Sequence, residues 1–268
     1  MYRVGIDIGG TFTDVVCAGP EGTVTFKTPS TRDDPGRAVG TALDALAERH
    51  GIDRARIVRF AHGTTVATNA VIERTGARVG IVTTEGFRDT LEIGRQIRSR
   101  LYDLVLEPET PGWLAPRARR VEVSERVAAD GTVVAPLDEA SLARAVETLR
   151  DEEVEAVAVC LLFSFANPAH ERRVAEALAE AMPGVPVSLS SDVDPVFREY
   201  ERTCVTAFDA YMKPCVADYI ARLNGTLREA GVPAPLQVMQ SRGGLAGAGV
   251  ACARPVRLAL SGPAVGVI

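Results

Sequence analysis

Gly5-Ile6-Asp7-Ile8-Gly9-Gly10-Thr11-Phe12-Thr13-Asp14 stands near the amino terminus, and its reading decides the fold. Val4, Ile6 and Ile8 alternate with Gly5 and Asp7, the period of a strand with one face in a core. Gly9-Gly10 then breaks the strand, and Val15-Val16-Cys17-Ala18 leaves the turn as a second apolar run. Adjacent glycines let backbone amides approach an anion closely, and Thr11 and Thr13 add hydroxyl donors. Asp7, at a strand end, would face a phosphate only through a cation, which points to Mg²⁺. No lysine follows the glycines, as the Gly-Lys-Ser/Thr phosphate loop requires, and no third glycine opens a helix, as the dinucleotide turn requires. A plain Gly-Gly hairpin turn is the alternative. It accounts for the glycines but not for Asp7, Asp14, Thr11 and Thr13 crowded onto one turn.

Working outward, Gly19-Pro20-Glu21-Gly22 reads as a turn and Thr23 to Lys27 as a third strand, giving an antiparallel meander. Asp33-Asp34-Pro35 opens a helix whose apolar face is Val39, Ala42, Leu43, Leu46 and Ala47, and Gly51 follows its end. Arg56 to Ala61 is a fourth strand. It feeds His62-Gly63-Thr64-Thr65 and then a helix through Asn69. His62, Thr64, Thr65 and Asn69 thus cluster where a strand stops and a helix starts, the usual ligand side of an α/β sheet. Equally, a threonine there could simply cap the helix and His62 could be a hydrogen-bonded core residue.

Further along, Arg78 to Thr84 is a buried type of strand, followed by a segment carrying Arg88, Arg95, Arg98 and Arg100, which is either anion-binding or solvated. Pro108, Pro111, Gly112 and Pro116 mark a loop that Trp113 pins. Arg119 to Val127 and Thr132 to Val134 read as strands around Ala129-Asp130-Gly131, and Asp138 caps a helix. Val157 to Phe163 is a buried strand, Asn167-Pro168 starts a helix, and Pro186 to Leu189 is a short strand. The run Arg198-Glu199-Tyr200-Glu201-Arg202 lies on a helix ending near Tyr211 and reads as near-neighbour ion pairs or as site residues. Pro214 starts another helix, and Leu236 to Gln240 is a strand running into Ser241-Arg242-Gly243-Gly244.

With 268 residues the chain can bury a large core, and its 46% apolar and 24% charged residues are those of a globular protein. The net charge of −5 gives no basic stripe for nucleic acid. No apolar run reaches membrane-spanning length and no leader is visible, so the cytoplasm is the expected location. The five cysteines and three histidines show no paired or metal-ligand spacing, which argues against disulfides and structural zinc.

Asp7-Ile8-Gly9-Gly10-Thr11-Phe12-Thr13-Asp14 resembles the first phosphate loop of the actin/sugar-kinase/heat-shock ATPase superfamily. Its Thr-Phe-Thr-Asp ending resembles one branch, the ATP-dependent hydantoinases, 5-oxoprolinases and acetone carboxylases. His62 to Ala77, Thr83 to Asp89 with Leu91 to Gln96, Arg198 to Thr203 and Ser261 to Gly266 resemble that branch in the same order. Phe163-Ser164-Phe165, Arg242 and Val265 depart from its usual His-Ser-Tyr, smaller polar residue and glycine. The resemblance implies an α/β, ribonuclease H-like domain with an antiparallel three-strand start and an inserted or following α/β subdomain. It implies an N-terminal ATPase-like domain over 1–185 and the start of the main domain over 186–268, truncated before the second phosphate loop. The implied activity is ATP- and Mg²⁺-dependent phosphorylation and opening of a small cyclic amide, with a second subunit or a missing C-terminal half as partner. Asp7 would hold Mg²⁺, and Gly9, Gly10, Thr11 and Thr13 would cradle ATP. His62, Thr64, Thr65, Asn69 and Arg95 would shape the reacting end. The rival readings are an ATP-using carboxylase subunit of the acetone carboxylase type and a non-catalytic fragment retaining the fold.

Overall fold

The computed structural model describes residues 1–31, 35–97, 102 and 110–259. Asp33, Asp34, Arg98, Arg100, Pro108 and the closing run from Ser261 lie outside the described residues. Packing divides the chain into two compact units, Met1–Thr75 with Cys215–Ile268, and Gly76–Pro214.

In the first unit, β1 (Tyr2–Ile8), β2 (Phe12–Gly19) and β3 (Gly22–Pro29) form an antiparallel meander. Tyr2, Val4, Ile6 and Ile8 face the core, so the pleat turns Gly5 and Asp7 to the opposite face. Helix α1 (Pro35–His50) packs on the meander through Ala38, Val39, Ala42, Leu43 and Leu46, all fully buried. Gly51, at φ +64, ends it in the left-handed conformation that a Cβ would penalise. β4 (Ile57–Gly63) runs parallel to β1, and α2 (Val66–Ile72) follows it.

The second unit opens with β5 (Val79–Thr84), buried at every position, and the short α3 (Thr90–Ile93). The single strand expected over Arg119 to Val127 is in fact broken. β6 (Arg120–Val123) pairs with β5, whereas β7 (Arg126–Val127) pairs with β8 (Val133–Ala135) in a separate hairpin. Side chains outcompete the ladder between them. The Ser124 amide donates to Ser141 Oγ at 3.0 Å, and Glu125 turns inward to take the Thr84 hydroxyl and His170 Nδ1, the latter at 2.7 Å.

Asp138 caps α4 (Glu139–Asp151) by accepting from the Ser141 amide at 2.8 Å. β9 (Ala156–Cys160) stops short of Phe163, whose φ of 54 is incompatible with a strand. Asn167 accepts from the Ala169 amide at 3.1 Å at the head of α5 (Ala169–Ala181). β10 (Val187–Leu189) completes a four-stranded, all-parallel sheet in the order β10-β9-β5-β6.

After α6 (Ser190–Val193), α7 (Glu199–Glu229) runs for 31 residues with Pro214 inside it, which overturns the expected new helix at Pro214. Proline removes one i→i−4 hydrogen bond, but buried Ala210, Tyr211 and Met212 before it and Val216, Tyr219 and Ile220 after it anchor both halves. The chain then adds β11 (Leu236–Met239) parallel to β4 and β12 (Leu245–Gly247) antiparallel to β11, with α8 (Ala248–Ala253) following. The first unit therefore holds a six-stranded mixed sheet in the order β12-β11-β4-β1-β2-β3.

Candidate functional site

Because β1 and β4 are parallel neighbours, with Ile6 opposite His62 and Asp7 opposite Gly63, their carboxyl ends arrive together. The glycine turn and the threonine turn consequently share a cavity of about 510 Å³, lined by Gly9, Gly10, Thr64, Thr65 and Asn69. Cys215, Tyr219 and Arg222 of α7 line it too, and every one of these residues belongs to the first unit.

The glycine turn is held from within: the Gly9 amide donates to the Phe12 carbonyl at 3.0 Å, and the Ser30 amide donates to the Thr11 carbonyl at 3.0 Å. A Cβ on Gly9 would sit 3.0 Å from the Phe12 carbonyl oxygen, so the turn itself requires that glycine. Gly10 is different. A Cβ there meets nothing within 4 Å, so the packing of the chain does not require a glycine at this wall of the cavity. Thr11 is exposed on the turn. Thr13 points the other way, fully buried, its hydroxyl 2.9 Å from Ser30 Oγ, and so braces the turn from behind.

Asp7 projects to the opposite face of the sheet, directly across the hairpin from Asp14. The pair lines a neighbouring hollow of about 330 Å³ with Gly63, Met239 and Leu245. Burial first, and the Asp14 charge second, push the Asp7 carboxyl above the usual carboxylate range. Asp14 is itself paired with Lys27 at 2.8 Å. Among the described residues no group of three or more His, Cys, Asp or Glu is placed to hold a metal.

His62 is only 1% exposed, and both ring nitrogens are engaged: Nδ1 with the Ile6 carbonyl at 3.1 Å, and Nε2 with the Tyr219 hydroxyl. Burial lowers its pKa to about 4, against a small upward pull from the Ile6 hydrogen bond. Thr64 is buried beside it, accepting from the Val66 amide at 3.2 Å and hydrogen bonding to Tyr219. Thr65 accepts from Asn69 Nδ2 at 3.3 Å, which ties the first turn of α2 to the cavity wall.

Arg95 lies in the second unit, and its guanidinium forks onto the Glu201 carboxylate at 3.1 and 2.6 Å. This hydrogen bond chiefly holds Glu201 below the usual carboxylate range. The charged run that opens α7 finds its partners off the helix. Glu199 and Glu201 face Arg95, Tyr200 meets Thr110 at 3.0 Å, and buried Arg202 donates to the carbonyls of Val196 and Leu161 at 3.0 and 2.7 Å.

Cys215, Tyr219 and Arg222 escaped the sequence reading as cavity residues. Their i, i+4, i+7 spacing places them on one helical face, but spacing alone does not say what that face meets.

The sequence of this chain matches, over residues 3–182, the family model of the hydantoinase/oxoprolinase N-terminal region, and over residues 202–268 that of hydantoinase/oxoprolinase. The chain belongs to the hydantoinase/oxoprolinase family. Within that family it is 40% identical to caprolactamase subunit alpha of Pseudomonas jessenii, across 98% of this chain and 39% of that one. The 5-oxoprolinase of Saccharomyces cerevisiae is 30% identical, across 99% of this chain and 23% of that one. The crystal structure of the ATP-dependent caprolactamase from Pseudomonas jessenii superposes with a TM-score of 0.89 at 38% identity, covering 98% of this chain and 39% of that one. A nucleotide-free acetone carboxylase superposes at 0.83 with 26% identity, covering 100% of this chain and 40% of that one. This hydantoinase/oxoprolinase chain is thus α/β with a mixed sheet, and it spans about two fifths of the length of the caprolactamase it matches. Among the described residues no helix is long and apolar enough to cross a membrane.

Proposed function

We propose that this chain carries the N-terminal part of an ATP-dependent cyclic amide hydrolase, with the Gly9–Gly10 cavity as its phosphate side and the cytoplasm as its location. The observation that carries the reading is Gly10: neither its neighbours nor its backbone demands a glycine, whereas a phosphate approaching the turn does. The strand order β3-β2-β1-β4-β11, three antiparallel strands followed by two parallel ones, supports a ribonuclease H-like assignment for the first unit. The blocks 1–185 and 186–268 are the proposed division in chain order, while packing divides the chain into Met1–Thr75 with Cys215–Ile268, and Gly76–Pro214.

When bound, Mg²⁺-ATP would supply a phosphoryl group to the amide oxygen, which activates the carbonyl carbon for attack by water and cleavage of the ring C–N bond, releasing ADP and phosphate. This chemistry asks the protein mainly for positioning and charge neutralisation. Gly9 and Gly10 leave the cavity wall low, Thr11 and Thr65 offer hydroxyls, Arg222 brings a cation, and Asn69 brings a carboxamide. Thr13 acts through the turn it braces. Asp7 lines the neighbouring hollow with Asp14, and its role toward Mg²⁺ rests on the family resemblance. Arg95 enters on the family resemblance alone, its guanidinium held by Glu201 within the second unit. The partners are a small cyclic amide and the polypeptide that completes the length of the relatives.

Activity belongs to that completed assembly, and the present chain alone binds Mg²⁺-ATP weakly; micromolar affinity by calorimetry would count against the reading. ADP release measured in the assembly with hydantoin, 5-oxoproline or a lactam, each in turn, tests it. ADP release driven by a ketone with bicarbonate, and by none of the cyclic amides, replaces it with the carboxylase reading, which the acetone carboxylase superposition supports. Gly10→Ala is expected to leave the unfolding free energy within about 0.5 kcal/mol, since the added methyl meets no atom. The same change should raise the KM for ATP about tenfold. An unaltered KM would remove the argument from Gly10.

A further inference from the structure

We propose that Tyr219 is a positioning residue: a one-way hydrogen-bond chain from the Ile6 carbonyl through His62 and Tyr219 commits the Thr64 hydroxyl proton, so that the threonine donor left for a ligand is Thr65. The inference rests on the reading of the cavity as a phosphate site and assigns the roles of its groups.

A single backbone carbonyl dictates the direction. The Ile6 oxygen can only accept, so His62 Nδ1, 3.1 Å away, carries the proton and donates it. The imidazole is buried and neutral at ordinary pH, so Nε2 is a bare acceptor. The Tyr219 hydroxyl must therefore give its proton to Nε2. That leaves Tyr219 Oη able only to accept, and the group that meets it is the Thr64 hydroxyl. A hydroxyl has one proton. Thr64 spends it on Tyr219 while its oxygen accepts from the Val66 amide at 3.2 Å, so it has no proton to offer a ligand.

Thr65 is the opposite case. Its oxygen accepts from Asn69 Nδ2 at 3.3 Å, which leaves its own proton to be donated into the cavity. The strands supply the precision. Ile6 and His62 are opposed in the parallel β1–β4 pair, and Tyr219 reaches them from a helix whose Val216, Leu223 and Leu227 are buried. His62 thus acts on a ligand only through Tyr219 and Thr64, and touches none itself.

The test reads the proton directly. Nitrogen-15 NMR of the chain labelled in histidine should show His62 as the Nδ1–H tautomer. A dominant Nε2–H tautomer would overturn the proposal, because Tyr219 would then accept from His62 and Thr64 would be released. In parallel, millimolar ADP is titrated while the amides of Gly10 and Thr65 are followed. Thr65→Val should weaken ADP at least tenfold with the His62 tautomer unchanged. Tyr219→Phe should weaken it several-fold. A folded Thr65→Val variant that binds ADP as the parent does also overturns the proposal. Absence of any ADP-induced shift in the parent chain would instead remove the phosphate-site reading, a failure distinguishable from a wrong tautomer.

Discussion

Asp7→Asn is expected to abolish Mg²⁺-ATP turnover in the completed assembly while making this chain more stable. Asparagine preserves the size and the hydrogen-bonding edge of the side chain but removes the charge that would hold the cation. The loss of one preorganised charge at a transferring phosphoryl group costs on the order of 10²–10³ in rate or more. The stability gain follows from the sign of the Asp7 shift. Burial and Asp14 raise its folded pKa above 3.8, so over the interval between the unfolded and folded values the native state holds the extra proton. Stability therefore falls as pH rises through that interval, and at neutral pH the ionised carboxylate is a net cost. Asp7 is half-buried and partly screened, so the gain on neutralisation is about 1 kcal/mol or less. Thermal unfolding and ADP release on the same variant check both halves. Unchanged turnover would refute the role given to Asp7, and a lower melting temperature would refute the electrostatic account.

The second large effect is on acid stability. His62 has a folded pKa of about 4 against 6.5 unfolded, so between those values the unfolded chain binds the proton more readily. Its contribution is present above pH 6.5 and is lost as pH falls toward 4, amounting to about 3 kcal/mol. Carboxylates titrate in the same range, so the informative quantity is the difference between the parent chain and His62→Gln, which keeps hydrogen-bonding groups but does not titrate. The variant should be less stable at pH 7 and should show a shallower loss between pH 6.5 and 4. Parallel curves in denaturant titrations would mean that His62 does not ionise on unfolding as its burial requires.

What could be read without coordinates was local. The alternation of Val4, Ile6 and Ile8, the Gly9-Gly10 break and the apolar face of α1 specify a meander followed by a helix, because period and turn chemistry act over a few residues. Gly9, Gly10, Thr64, Thr65 and Asn69 come to one cavity because each lies where β1 or β4, parallel neighbours in the sheet, stops, and such ends meet. Long-range competition was not legible. Glu125 breaks an apolar strand because it is drawn to Thr84 and His170, 41 and 45 residues away in the chain. Pro214 passes through a helix because side chains on both sides of it are buried, a stabilisation that local propensity does not contain.

The sequence alone determined the family, the strand-and-helix order of the amino-terminal third and the candidate phosphate turn, since each rests on neighbouring residues and their spacing. Only tertiary structure decided that Thr13 faces the core, that His62 is a buried link and not an exposed base, and that Tyr219 and Arg222 reach the cavity. The last of these depends on residues 215–229 packing with residues 1–75. No local pattern encodes that contact, because it is settled by which buried faces fit one another across the length of the chain.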